Sequence, residues 1–172
     1  MFVVNGGSYA IFAPFWGYLC DKKWPPVLVT CIGTLFITLS FLLIGPAPFI
    51  PMDPNFNVII AMLVVHGIGF AAELVAGFSC AHREAIANGF PDNLGTYALV
   101  SGLWTATFAL GAFVGPSVAG LLVDYFEFRY ATLFVIATQI TVFFMTFFMV
   151  TRHYRKKARM EAYEGIGKQS FI

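Results

Sequence analysis

At 172 residues, 59% hydrophobic and 11% charged, with 20 Phe, the chain has too little polar surface to cover a water-soluble core, for which roughly 45–50% apolar and roughly 25% charged residues are usual. The bilayer is the better solvent for it. A formal net charge of +1 gives no global electrostatic argument for nucleic-acid binding, and Cys20, Cys31 and Cys80, in or beside apolar runs, have no metal-ligand spacing and read as buried thiols.

A bilayer-crossing helix needs ~20 mostly apolar residues, because a ~30 Å path is covered at ~1.5 Å per residue. Five runs have that character. The first covers about 2–20 and closes at Asp21-Lys22-Lys23; the second, about 27–45, is broken by Gly45-Pro46-Ala47-Pro48 and Pro51-Met52-Asp53-Pro54. The third, about 58–81, contains His66 and Glu73 and ends at His82-Arg83-Glu84. The fourth and fifth, about 96–123 and 130–150, carry no charge and flank a polar turn at 124–129. None keeps the polar stripe of a soluble core helix. The first also lacks the basic leader and small-x-small cleavage pattern of a secretory signal. Residues 1–151 are therefore expected to form an all-α membrane bundle of five transmembrane helices, and 152–172 a basic tail that begins helical and becomes partly disordered.

If the spans alternate, Lys22, Lys23, Arg83, Arg152, Arg155, Lys156, Lys157, Arg159 and Lys168 fall on one side and only Arg129 on the other. The positive-inside rule then makes the first loop, the 82–95 loop and the C-terminal tail cytoplasmic and puts the N-terminus outside. The Arg152 to Arg159 cluster reads as a stop-transfer anchor or as a contact with anionic lipid. An outside N-terminus that opens directly inside a span is expected of a piece of a longer protein.

In the fourth run Gly102 is followed after eight residues by Gly111, after three more by Gly115, at once by Pro116, and then by Ser117-Val118-Ala119-Gly120. Gly111, Gly115 and Ala119 share one helical face, which allows a neighbouring backbone to approach where lipid supplies no hydrophobic drive. Pro116 removes the hydrogen bond to the Ala112 carbonyl and favours a bend. A tightly packed helix that tilts and a merely well-packed span with a proline bend both fit.

This pattern resembles the antiporter motif of the major facilitator superfamily, with Ala119 in place of the first of two final glycines. Gly17-Tyr18-Leu19-Cys20-Asp21-Lys22-Lys23 is similar to the signature loop of that superfamily, although Trp24-Pro25-Pro26 departs from its usual continuation. The resemblance implies a conformational latch at Gly17, Asp21, Lys22 and Lys23, in which Asp21 caps a neighbouring helix or pairs with a basic side chain; an ordinary positive-inside loop is the competing reading. It also implies that Gly102, Gly111, Gly115, Pro116 and Gly120 are the helix motif. Because the chain ends in a basic tail after one further span, the resemblance fits spans 8 to 12, five helices of the C-terminal six-helix half. Asn88-Gly89-Phe90-Pro91 and Tyr97 to Trp104 resemble the vesicular amine transporter family, closest to its polyamine branch.

A carboxylate near mid-bilayer costs a few kcal/mol even on a lenient insertion scale, so Glu73 is expected to face a cavity or a partner. His66, seven residues earlier, lies on nearly the same face, with Gly69 between them and Gly77 one turn beyond. Removal from water favours the neutral acid, which lets Glu73 hold a proton and a cation in turn. An aromatic ring beside it can hold an ammonium by cation–π attraction. Glu73 matches the position of a span-ten acid to which the vesicular amine resemblance assigns cation recognition or proton coupling. A second acid inside span eleven is missing, since Asp124 lies at that span's end. Against this stand a neutral, packed Glu73 and a His66 that only satisfies a neighbouring helix.

No metal set, nucleophile elbow or phosphate-cradling loop is present, so no enzyme, metal or cofactor is expected. The resemblance implies proton-coupled antiport of organic cations such as polyamines across a vesicle or other endomembrane. Its partners are a small organic cation, protons, lipid and a missing N-terminal half. Two other readings stay open: a multidrug or other solute porter of the same fold, and a truncated, non-transporting membrane protein that acts through helix packing. A sugar porter would carry more Asn, Gln and Trp in its spans than the solitary Gln139 and few Trp found here.

Overall fold

In a computed structural model the chain forms α1 (Phe2–Lys22), α2 (Pro26–Ile44), α3 (Phe56–Ala87), α4 (Leu94–Tyr125) and α5 (Phe128–Gln169). Residues 1–22, 24–44, 55–126 and 128–169 are described, without the side chains of 128, 129, 153 and 156–169; Lys23 and positions 45–54 lie outside them. Among the described residues helix is the only regular structure, so the chain is an all-α protein as its composition implies.

The helix ends follow from local chemistry. Pro26 opens α2 where a missing N–H costs nothing. Asn55 and Asn93 cap α3 and α4, their side-chain oxygens accepting the N–H of Asn57 at 3.1 Å and of Thr96 at 2.9 Å. After Asn88 the chain leaves α3 through Gly89, whose φ of 97° is left-handed, and Pro91 prevents resumption. Hydroxyls inside the apolar helices are satisfied by their own backbone: Thr34 donates to the Cys31 carbonyl at 2.8 Å and Ser40 to that of Ile37 at 2.7 Å. Polar groups survive in hydrocarbon only on that condition.

By length and composition α2, α3, α4 and the Tyr130–Arg152 part of α5 can each cross a membrane. α1 has 21 residues but is diluted by Asn5, Ser8, Tyr9 and Tyr18, and it falls outside that set of four. Its polar groups find partners instead. The Trp16 indole N–H donates to the Ile68 carbonyl of α3 at 3.1 Å, Asn5 reaches His66 of α3, and Ser8 donates to the Val4 carbonyl at 2.8 Å.

α3 is the centre of the packing. α1 and α2 lie against it and scarcely touch each other, α5 lies against α2, and α4 rests more lightly on α3 and α5. The core joins Trp16 and Cys20 of α1, Val29 of α2, and Ala71, Ala72 and Ala76 of α3. Small residues make the approach possible. A Cβ on Gly33 of α2 would stand 2.9 Å from the Gly69 carbonyl oxygen, one on Gly69 2.8 Å from Phe36 Cβ, and one on Gly67 2.6 Å from the Asn5 carbonyl oxygen. Elsewhere the outer face is apolar, with Leu103, Leu110 and Phe113 of α4 and Phe144 and Met145 of α5 exposed. In water such a surface drives aggregation; against acyl chains it is the ordinary exterior of a membrane bundle.

Candidate functional site

Glu73 stands midway along α3, beside the small residues that seat that helix on α2. Its Cγ would be 3.0 Å from a Cβ built on Gly33, so the side chain lies along the α2 surface. Its carboxyl comes within hydrogen-bonding reach of the Gln139 side chain on α5, with the amide as donor. Oε1 of Glu73 is buried and has no hydrogen-bond partner among the described residues. The acid thus faces protein on α2 and α5, where its hydrogen-bonding capacity is partly unfilled.

His66 takes a different set of partners. Its Nδ1 lies 3.0 Å from Asn5 Oδ1 of α1, the Phe41 ring of α2 meets it edge-on at 5.3 Å, and Phe70 stacks at 6.1 Å. With Nδ1 as donor to the Asn5 oxygen, the ring ties α1 to α3. Glu73 and His66 therefore share a helix face but not a contact: one reaches α5, the other α1. Around the helix from Glu73, between α1, α3 and α4, a cavity of about 410 Å³ is lined by Tyr9, Leu74, Val75, Phe78, Trp104 and Phe108, with Thr105 as a further polar group. That is the size range of a small-molecule site. Phe78 and Trp104 meet edge to face at 6.4 Å, and Tyr97 and His82 continue the cluster toward the helix ends.

At the junction of α1 and the last turns of α3, Arg83 donates to the Cys20 carbonyl at 2.7 Å and lies 4.0 Å from the Asp21 carboxylate. Arg83 is thus the basic side chain near Asp21, and the same guanidinium satisfies a carbonyl that α1 leaves open at its C-terminus. Gly17 faces α3 at ordinary contact distance, 3.8 Å from Val75 for a built Cβ. The Lys22 ammonium lies 5.1 Å above the Tyr18 ring, and Lys23 is outside the described residues.

The glycine motif of α4 is placed otherwise. Gly102, Gly111, Gly115 and Gly120 have nothing within 4 Å of a built Cβ, and Pro116 stands in the same exposed stretch. Gly115 and Ala119 border an apolar cleft of about 450 Å³ whose far wall includes Ala131, Phe134 and Val135 of α5. Two residues that were not among the expected site residues, Asn5 and Gln139, hold the candidate ionisable groups. The signal was their rarity as amides inside apolar runs, where a polar side chain requires a partner.

A sequence profile of the Major Facilitator Superfamily matches residues 1–170. The chain belongs to that superfamily. It is similar to "MFS-type transporter SLC18B1" of Homo sapiens, 35% identical over 130 residues, which are 72% of this chain and 27% of that protein. The Mus musculus protein of the same name is 35% identical over 129 residues, again 72% and 27%. "Multidrug resistance protein MdtG" of Yersinia enterocolitica is 28% identical over 156 residues, 91% of this chain and 34% of that protein. No solved structure matches. The chain spans about a quarter to a third of the length of these relatives. The first two are named as transporters and not as enzymes, and they are consistent with the likeness to vesicular amine transporters read in the 88–104 region. Membership and the four apolar helices make it an integral, multi-pass membrane protein.

Proposed function

We propose that the chain is part of a secondary active transporter that exchanges protons for organic cations, amines or polyamines, across a vesicle or related endomembrane. The observation that carries this reading is the placement of Glu73. A carboxyl in an apolar span turns toward α2 and α5 with a buried oxygen left unpaired, which suits a group that must take up and give up a positive charge. A second set of spans, like the remainder of the longer relatives, completes the alternating-access cavity on the other side. In this arrangement the Arg152 to Arg159 end is cytoplasmic and close to anionic headgroups. Arg83 and Asp21 form a latch between α1 and α3, and the open glycine face of α4 receives a helix from the second set.

The test is uptake of labelled spermine into acidified vesicles prepared from cells expressing the protein. The reading predicts a component that collapses when the pH gradient is dissipated and is lost in Glu73→Gln. Unchanged pH-driven uptake in that variant would reject the coupling role. A second reading, export of apolar drugs, is favoured by the aromatic, uncharged lining of the 410 Å³ cavity and by the similarity to the protein named for multidrug resistance. Competition separates the two: a neutral aromatic compound displaces spermine only if both occupy that cavity.

A further inference from the structure

Among the described residues α3 and α5 pack on α2 and not on each other. The Glu73 side chain nevertheless reaches Gln139 of α5, because Gly33 leaves the surface of α2 bare where the chain of methylenes crosses it. The result is a hydrogen-bonding oddity. Glu73 Oε1 and Gln139 Oε1 are both buried and both without a partner. Two such oxygens cannot satisfy one another while the carboxyl is ionised, since a carboxylate and an amide oxygen only accept. A single proton cures both. With the carboxyl neutral, its O–H donates to Gln139 Oε1 while the Gln139 amide N–H donates to the other carboxyl oxygen, and no acceptor is stranded. No charged side chain among the described residues acts on Glu73. Cys31 of α2 is directed to Thr146 of α5, and His66 of α3 to Asn5 of α1.

We propose that Gln139 is a positioning residue for Glu73, forming with the protonated carboxyl a two-bond carboxyl–amide pair that ties α3 to α5 across Gly33 and opens when the proton leaves. On opening, the O–H bond breaks, the electron pair stays on the carboxylate, the proton passes to water, and the Gln139 oxygen loses its donor. The carboxylate is then free to turn from α5 toward a cation. The consequence for transport rests on the role given to Glu73 above; the pair itself does not.

Difference infrared spectroscopy of the full chain in lipid nanodiscs, stepped between acid and neutral pH, tests it. Glu73→Gln identifies the Glu73 carboxylic-acid band by its disappearance. In Gln139→Leu that band is expected to move to higher frequency, as befits a carboxyl that has lost its acceptor; an unmoved band overturns the proposal. A measurement that leaves Gln139 in place uses glutamine labelled with carbon-13 at the side-chain carbonyl, which marks only Gln139 and Gln169 in the native chain. One amide band is expected to shift when the acid is protonated in the native chain and to stay fixed in Glu73→Leu, which adds no further glutamine. A band that shifts equally in both, or in neither, overturns the proposal. Loss of spermine uptake in Glu73→Gln with no infrared coupling would remove the pair and keep the transport role; coupling with normal uptake would do the reverse.

Discussion

α3 and α4 are both 32 residues long and both rich in small residues, yet the structure uses them in opposite ways. On α3 the glycines at 67, 69 and 77 have no space for a methyl group, because Asn5, Phe36 and Trp104 already stand there. On α4 all four glycines of the motif face open space. A stripe of small residues announces that something comes close; it does not say whether the visitor belongs to the same five helices. α3 holds this bundle together, and α4 presents its stripe outward.

Substitutions should break that contrast unevenly. Gly69→Leu forces a side chain into the Gly33 and Phe36 surfaces and is expected to destabilise the bundle by about 3 kcal/mol, the upper range for overpacking. Thermal unfolding in detergent followed by circular dichroism reads it. Arg83→Ala removes the hydrogen bond to the Cys20 carbonyl and the neighbour of Asp21; because Arg83 is half exposed, a loss of about 1 kcal/mol is expected. Asp21→Asn, which keeps the carbonyl bond, should cost less than Arg83→Ala in the same assay. Asn5→Leu and His66→Leu, alone and combined, should show a coupling of about 0.6 kcal/mol, the average for interhelical hydrogen bonds in membranes. Gly115→Leu is expected to change the stability of this chain by less than about 0.5 kcal/mol, as for other exposed positions. The same substitution should matter far more wherever a second set of spans covers the face. If Gly115→Leu were as damaging as Gly69→Leu, the contrast between the two helices would fail.

Much of this architecture is legible in the sequence. Long apolar runs, asparagine caps and the Gly89-Phe90-Pro91 stop give the helices, because those signals are local. The first run has the length of a span, but its Asn5, Ser8 and Tyr9 make α1 less apolar than α2, α3 and α4, and their partners on α3 and within α1 explain how it carries them. Glu73 and His66 stood out because charge and imidazole are costly in hydrocarbon. Their partners did not, since cost says that a partner exists without saying which helix supplies it. Glu73 and His66 are nearly eclipsed on α3, and from spacing alone they look like one constellation. Three-dimensional packing separates them, sending one toward α5 over Gly33 and the other toward α1. Spacing leaves Asp21 a choice between a helix terminus and a base, and it does not name Arg83, 62 positions away in the chain, which lies 4.0 Å from it.

In the proposed transport cycle one carboxyl holds either a proton or an amine and never both. Proton counting upon spermine addition, in weakly buffered solution with the protein in nanodiscs, addresses it directly. Acid release is expected when spermine binds near the pH at which Glu73 is protonated, and none from Glu73→Gln. Spermine binding with no release, or with equal release from both proteins, would contradict it.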